Sequence, residues 1–139
     1  MPQRDYILRM IEQMGAVLAA LRRKLLGGKV TQDMWQELAD VAGQAGFDLE
    51  IVRGFDLDTL MMLVAPMGEI EPARGWTMAE ILYLDGLEAT LTGKPARDSL
   101  LKAKALFEMM RPHPALFVGI AEAADRITEI DGLLRDAPE

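Results

Sequence analysis

Apolar residues at Ile7, Met10, Ile11, Met14, Val17, Leu18, Leu21 and Leu25 recur at spacings of three and four. That periodicity places all eight on one stripe of a long first helix. Arg4, Arg9, Glu12, Gln13, Arg23 and Lys24 fall largely off the stripe, and Gly27-Gly28 supplies a C-terminal stop. Thr31 is the expected N-cap of a second helix, whose apolar side is Met34, Trp35, Leu38, Val41, Ala42 and Ala45 and which Gly46 closes. Asp48 to Gly54 reads as one short helical turn. Asp56 caps a brief helix through Leu57, Leu60, Met61, Leu63 and Val64, which Pro66 stops.

Pro72 suits the first turn of a helix running to about Leu91. Its apolar residues cover more than one side: Trp76, Ala79, Tyr83 and Gly86 on one face, Met78, Ile81, Leu84, Leu87 and Leu91 on others. Such a helix sits between neighbours rather than at an edge. Gly86 costs about 1 kcal/mol of helix propensity relative to alanine, and close approach of another helix is the expected compensation. After Gly93-Lys94-Pro95, a further helix aligns Ala96, Leu100, Ala103, Phe107 and Met110, ending at Arg111-Pro112-His113-Pro114. The last helix uses Leu116, Phe117, Ile120, Ala124, Ile127, Ile130 and Leu134. No segment alternates with the period of a strand. The expected fold is all-α, about five to six helices in stacked antiparallel hairpins of the tetratricopeptide-like kind.

One domain over 1–139 is expected: a first hairpin at 1–46, short helices and a connector at 47–70, a second hairpin at 71–112, and a C-terminal helix at 113–139. A weak internal echo supports repetition. Gly28, Lys29 and Asp33 match Gly93, Lys94 and Asp98 at a common offset of 65 residues, about twice the ~34-residue tetratricopeptide period.

The opening Asp5-Tyr6-Ile7-Leu8-Arg9-Met10-Ile11-Glu12-Gln13-Met14 resembles the start of a bacterial family of uncharacterised small helical proteins, a domain of unknown function. Members of that family begin with Asp-Tyr followed by an aliphatic-Arg-Met-Ile-Glu-Gln run and carry tetratricopeptide-like hairpins. Phe55 to Leu60 and Ala79 to Phe107 are similar as well. Gly86, Ala103, Ala105 and Pro112 echo the order of small residues and proline in a tetratricopeptide unit, with imperfect spacing. The resemblance implies helical hairpins and a bacterial origin. It brings no activity, and no residue matches the ligand-clamping Asn and Lys positions of peptide-binding tetratricopeptide proteins.

Composition narrows the function. Twenty-two acidic against 15 basic side chains give a net charge of −7, which repels a phosphate backbone. The one basic run, Arg22-Arg23-Lys24, closes the first helix, where it complements the helix dipole. Nucleic acid is therefore not an expected partner. Nor is a membrane, because no apolar run reaches the ~18 residues of a bilayer span and the charged N-terminal stretch is no secretory signal. With no cysteine the chain has no disulfide, zinc-thiolate site or thiol nucleophile, which suits the cytoplasm.

Candidate chemistry is sparse. His113, the one histidine, lies between two prolines with neither nucleophile nor second ligand at a recognisable spacing, so a structural role is favoured. Asp48, Glu50, Asp56, Asp58, Glu69 and Glu71 form an acidic middle segment lacking a calcium-loop pattern, and helix capping explains them better than a metal. Gly27-Gly28-Lys29 and Gly93-Lys94 are turns rather than phosphate loops. The ten methionines fill an irregular core or form an adaptable binding surface. No catalytic residue, cofactor or metal is expected. The leading expectation is a non-enzymatic module for contact with a protein partner or with itself. Its candidate interface residues are Tyr6, Met10, Met14, Trp76 and Tyr83. The alternative is a small-molecule sensor or minor enzyme with a pocket between helices, given polarity by Asp85 or Tyr83.

Overall fold

A computed structural model of the chain describes residues 2–113 and 122–136, with the side chains of Arg9 and of residues from 12 onward among them. Its elements are α1 (Pro2–Leu26), α2 (Met34–Gln44), α3 (Leu49–Arg53), α4 (Leu57–Val64), α5 (Pro72–Leu91), α6 (Arg97–Met110) and α7 (Ala123–Asp136). Every regular element among the described residues is helical, so the fold is all-α. The short turn expected at 48–54 is long enough to count as a helix, which brings the number among the described residues to seven.

The arrangement follows from α5. Every residue from Gly75 to Leu87 is buried, so no face of this stretch meets water. Helices α1, α2, α4, α6 and α7 all contact it. At about 1.5–3 kcal/mol per fully buried large apolar side chain, Trp76, Met78, Ile81, Leu82 and Leu84 are a strong drive to surround α5.

Its closest partner is α6. At the turn Gly93 takes φ +73° and the Lys94 amide donates to the Ala89 carbonyl at 2.8 Å, ending α5 and reversing the chain. Gly86 then lies against Leu100 and Gly75 against Met110, which fixes α6 as antiparallel to α5. A Cβ on Gly86 would stand 2.6 Å from Leu100 Cδ2 and 2.7 Å from Cγ. The close approach expected from the sequence is thus made by Leu100, which is fully buried. Trp76 meets Phe107 edge to face, ring centroids 5.9 Å apart.

On the other side of α5, α1 contributes Met14, Leu18, Leu21 and Leu25 to the core and α2 contributes Met34, Leu38, Val41 and Ala42. Asp48 and Asp56 cap α3 and α4, accepting from the Ile51 amide at 3.2 Å and the Thr59 amide at 2.8 Å. Inside α4, Leu60 and Val64 are fully buried. Arg74 of α5 donates to the Leu63 carbonyl at 3.2 Å and the Glu71 amide to the Val64 carbonyl at 2.8 Å, which ties down the end of α4.

Three local expectations change. The Thr31 carbonyl accepts from the Met34 amide at 3.3 Å, so residues 31–34 form a turn and Asp33 precedes α2 without a side-chain cap bond. Val17 is 38% exposed, because α2 leaves that part of the α1 stripe uncovered. In α7 Ile127 and Ile130 are buried as expected, but the alanine that begins the buried face is Ala123, with Ala124 exposed. Leu116, Phe117 and Ile120 lie outside the described residues, as do the side chains of Ile7 and Ile11.

Replacing Gly86 by alanine should destabilise the chain by about 1–3 kcal/mol through overpacking, outweighing the ~1 kcal/mol gained in helix propensity. Because Leu100 Cγ as well as a terminal methyl is too close, turning that methyl away gives no relief. Urea denaturation should show the penalty shrinking in a Leu100→Val background. An additive double variant would disprove the contact.

Candidate functional site

Charged side chains inside an apolar helix bundle are the first place to look for chemistry, since burying a charge needs a reason. Glu80 on α5 and Arg126 on α7 are both 1% exposed at the side chain, and Arg126 Nε donates to Glu80 Oε1 at 2.5 Å. Arg126 reaches its place because Ala123, Arg126, Ile127 and Ile130 are all buried, the i, i+3, i+4, i+7 face of α7. Its guanidinium lies over the Tyr83 ring at 5.1 Å and approaches Glu129 Oε2 at 3.5 Å. Glu129 accepts twice more, from the Tyr83 hydroxyl at 2.5 Å and from Arg22 Nη2 of α1 at 2.5 Å. One network therefore joins α1, α5 and α7.

The network is saturated with charge but poor in reactivity. Burial pushes the Glu80 carboxyl up, and the Arg126 guanidinium offsets only part of that. Burial, reinforced by the bond to Glu129, also pushes the Tyr83 hydroxyl up, which leaves it a donor rather than a base or nucleophile at neutral pH. Glu80 Oε2, Arg126 Nη1 and Arg22 Nε have no hydrogen-bond partner among the described residues. Glu80 and Arg126 are sealed from solvent, so no substrate reaches them.

A second set of charges pins α3 and α6 to α5. Arg53 ion-pairs with Asp85, its Nε donating to Oδ2 at 3.1 Å, while the Ser99 hydroxyl donates to the same oxygen at 2.8 Å. Lys102 Nζ donates to the Arg53 carbonyl at 2.9 Å, and the Arg53 guanidinium lies over the ring of Trp35 at 5.7 Å. Trp35 and Asp85 line a cleft with Leu21, Leu25, Met34, Leu38, Leu84 and Glu88. Its free volume of about 10 Å³ is room for a single water, so the cleft does not hold an organic ligand. A shallow groove of about 400 Å³ between α1 and α2 is open to solvent, with Val17 and Ala20 beside Glu37, Asp40 and Gln44.

Of the candidate interface residues, Met14, Trp76 and Tyr83 are 4%, 0% and 1% exposed. They are interior groups, so a single chain does not present them to a partner. For Trp76 and Tyr83 the cause is that all sides of α5 are covered, and Met14 lies on the α1 face that contributes to the same core. The side chains of Tyr6 and Met10 lie outside the described residues. His113 sits half-buried in the turn after α6, its amide donating to the Met110 carbonyl at 2.9 Å. Asp48 and Asp56 cap helices as expected, and no cluster among the described residues has the makings of a metal site. Gly28 and Gly93 are turn residues with φ of +77° and +73°.

The methionines divide sharply. Met14, Met34, Met78 and Met110 are core, whereas Met61, Met62 and Met67 are 37%, 72% and 90% exposed. On α4, Asp58 and Met62 form the exposed row opposite the buried row of Leu60 and Val64, and Leu57 and Met61 form a second exposed row between the two. In the sequence Leu57 and Met61 share the helical spacing of Leu60 and Val64, which masks this outward face, although Asp58 marks it. Glu80 and Arg126 were overlooked too, although each interrupts an apolar stripe and so left a trace. The chain matches no family model, no curated protein and no solved structure.

Arg126→Met should cost about 3–5 kcal/mol, because it strands the Glu80 carboxylate, and a Glu80→Met/Arg126→Met double variant should recover most of the loss. Urea titrations of the four species supply the cycle. The pH dependence has a definite sign. A carboxyl raised in the fold binds protons better there than in the unfolded chain. Its contribution is present below the ordinary value of 4.5 and declines as pH rises through the higher folded value. The stability difference between double variant and wild type should therefore shift in favour of the variant as pH rises across that window.

Proposed function

We propose that the chain is a non-enzymatic helical module that works by protein contact, with a partner protein or with a second copy. One observation carries this reading: the described interior is closed around paired charges, while α4 turns Leu57, Met61 and Met62 outward beside an exposed Met67. Exposed methionine adapts its shape to different apolar partners at little cost in strain, and large apolar groups grouped on one helix face mark contact surfaces more often than scattered ones. The tetratricopeptide-like hairpins and bacterial family suggested by the opening motif agree with such a role, as does a cytoplasmic setting. Self-association through the first helix, with Tyr6 and Met10 in the contact, belongs to the same reading.

Light scattering on the purified chain, together with affinity capture from its native host, tests the proposal. The expected result is a concentration-dependent oligomer or a co-purifying protein, lost in a Met61→Ser/Met62→Ser variant whose far-ultraviolet dichroism is unchanged. A strict monomer at high concentration that captures nothing would overturn it.

A further inference from the structure

The outward face of α4 stands in an unusual electrostatic setting. Residues 48–71 carry six carboxylates, Asp48, Glu50, Asp56, Asp58, Glu69 and Glu71, against one arginine, a net of −5 out of −7 for the whole chain. All six are exposed. The cations nearby are engaged: Arg53 by Asp85, Arg74 by Glu71 and the Leu63 carbonyl, and Lys102 by Asp98 and the Arg53 carbonyl. Asp58 and Glu69 enter no ion pair among the described residues, and Asp58 lies in the same outward row as Met62.

We propose that this face receives a cationic amphipathic helix of another protein, an inference that rests on the protein-contact reading above. The apolar half follows from α4 itself. With Leu60 and Val64 locked in the core, Leu57, Met61 and Met62 stay outward and supply a surface onto which an apolar helix stripe can lie. Charge decides the rest. A neutral apolar partner would bury Asp58 unpaired, at a desolvation cost. An acidic partner would be repelled by the whole segment. A helix with Lys or Arg flanking its apolar stripe pairs Asp58 and Glu69 while covering the methionines. A second copy is the weaker occupant, because two chains of net charge −7 repel each other.

The test titrates the intact chain into three labelled synthetic peptides of about 18 residues, or five helical turns. One is a Leu/Lys amphipathic helix, one its Leu/Glu counterpart, and one a Leu/Lys scramble without a stripe. The Leu/Lys helix should bind at least roughly ten-fold tighter than either control and weaken with salt. Met61→Ser/Met62→Ser should weaken it by about ten-fold, and Asp58→Asn should weaken it and flatten the salt dependence. Dichroism confirms that each variant is folded. Equal binding of the Leu/Glu or scrambled peptide, or indifference to the α4 substitutions, overturns the proposal. If no peptide binds while the chain still self-associates or captures a partner, the cationic-helix inference falls and the broader reading stands. A partnerless monomer that binds none of the peptides sinks both.

Discussion

Enclosing α5 on all sides is the constraint from which the rest of the fold follows. A helix whose residues from Gly75 to Leu87 are all buried needs neighbours around its whole circumference, and five other helices supply them. Glycine at 86 lets α6 come in against Leu100. The amphipathic stripes of α1, α2 and α7 cover the remaining sides, and α4 seats its Leu60–Val64 row there. The short helices around it are marginal in isolation, so they hold together by packing on α5 and on one another, as α7 does on α6.

Surrounding a helix that carries Glu80 and Asp85 creates a second requirement. Each carboxylate must meet a cation or lose its charge. Arg126 answers Glu80 and brings α7 with it, and Arg53 answers Asp85 and brings α3. The ionic contacts thus select which faces of the peripheral helices turn inward, and the apolar contacts supply the energy. Tyr83, Glu129 and Arg22 extend the first pair into a three-helix junction. Among the described residues these buried ionisable groups thus align the helices that meet around α5.

What the interior does not use is left outside. The segment from Asp48 to Glu71 places its buried residues on two short helices and exposes three methionines and six carboxylates together. Contact with another protein is the use we propose for that surface.

The helices were legible in the sequence wherever period and punctuation agreed. Pro72 and Gly93 bound α5, and Asp48 and Asp56 cap α3 and α4, because these residues act on the backbone next to them. The stripe of α6 and the close contact at Gly86 were legible for a similar reason. Which side of an all-apolar helix is covered is a different kind of question. Spacing alone does not tell that Trp76 and Tyr83 are enclosed while Met61, which shares the stripe of Leu57, Leu60 and Val64, stays 37% exposed. Nor does any local signal join Glu80 to an arginine 46 residues away. The chain alone determined where helices begin and end, because caps and turns are short-range interactions. Only the tertiary structure decided what is interior, what is paired and what faces outward, because burial depends on neighbours that are distant along the chain.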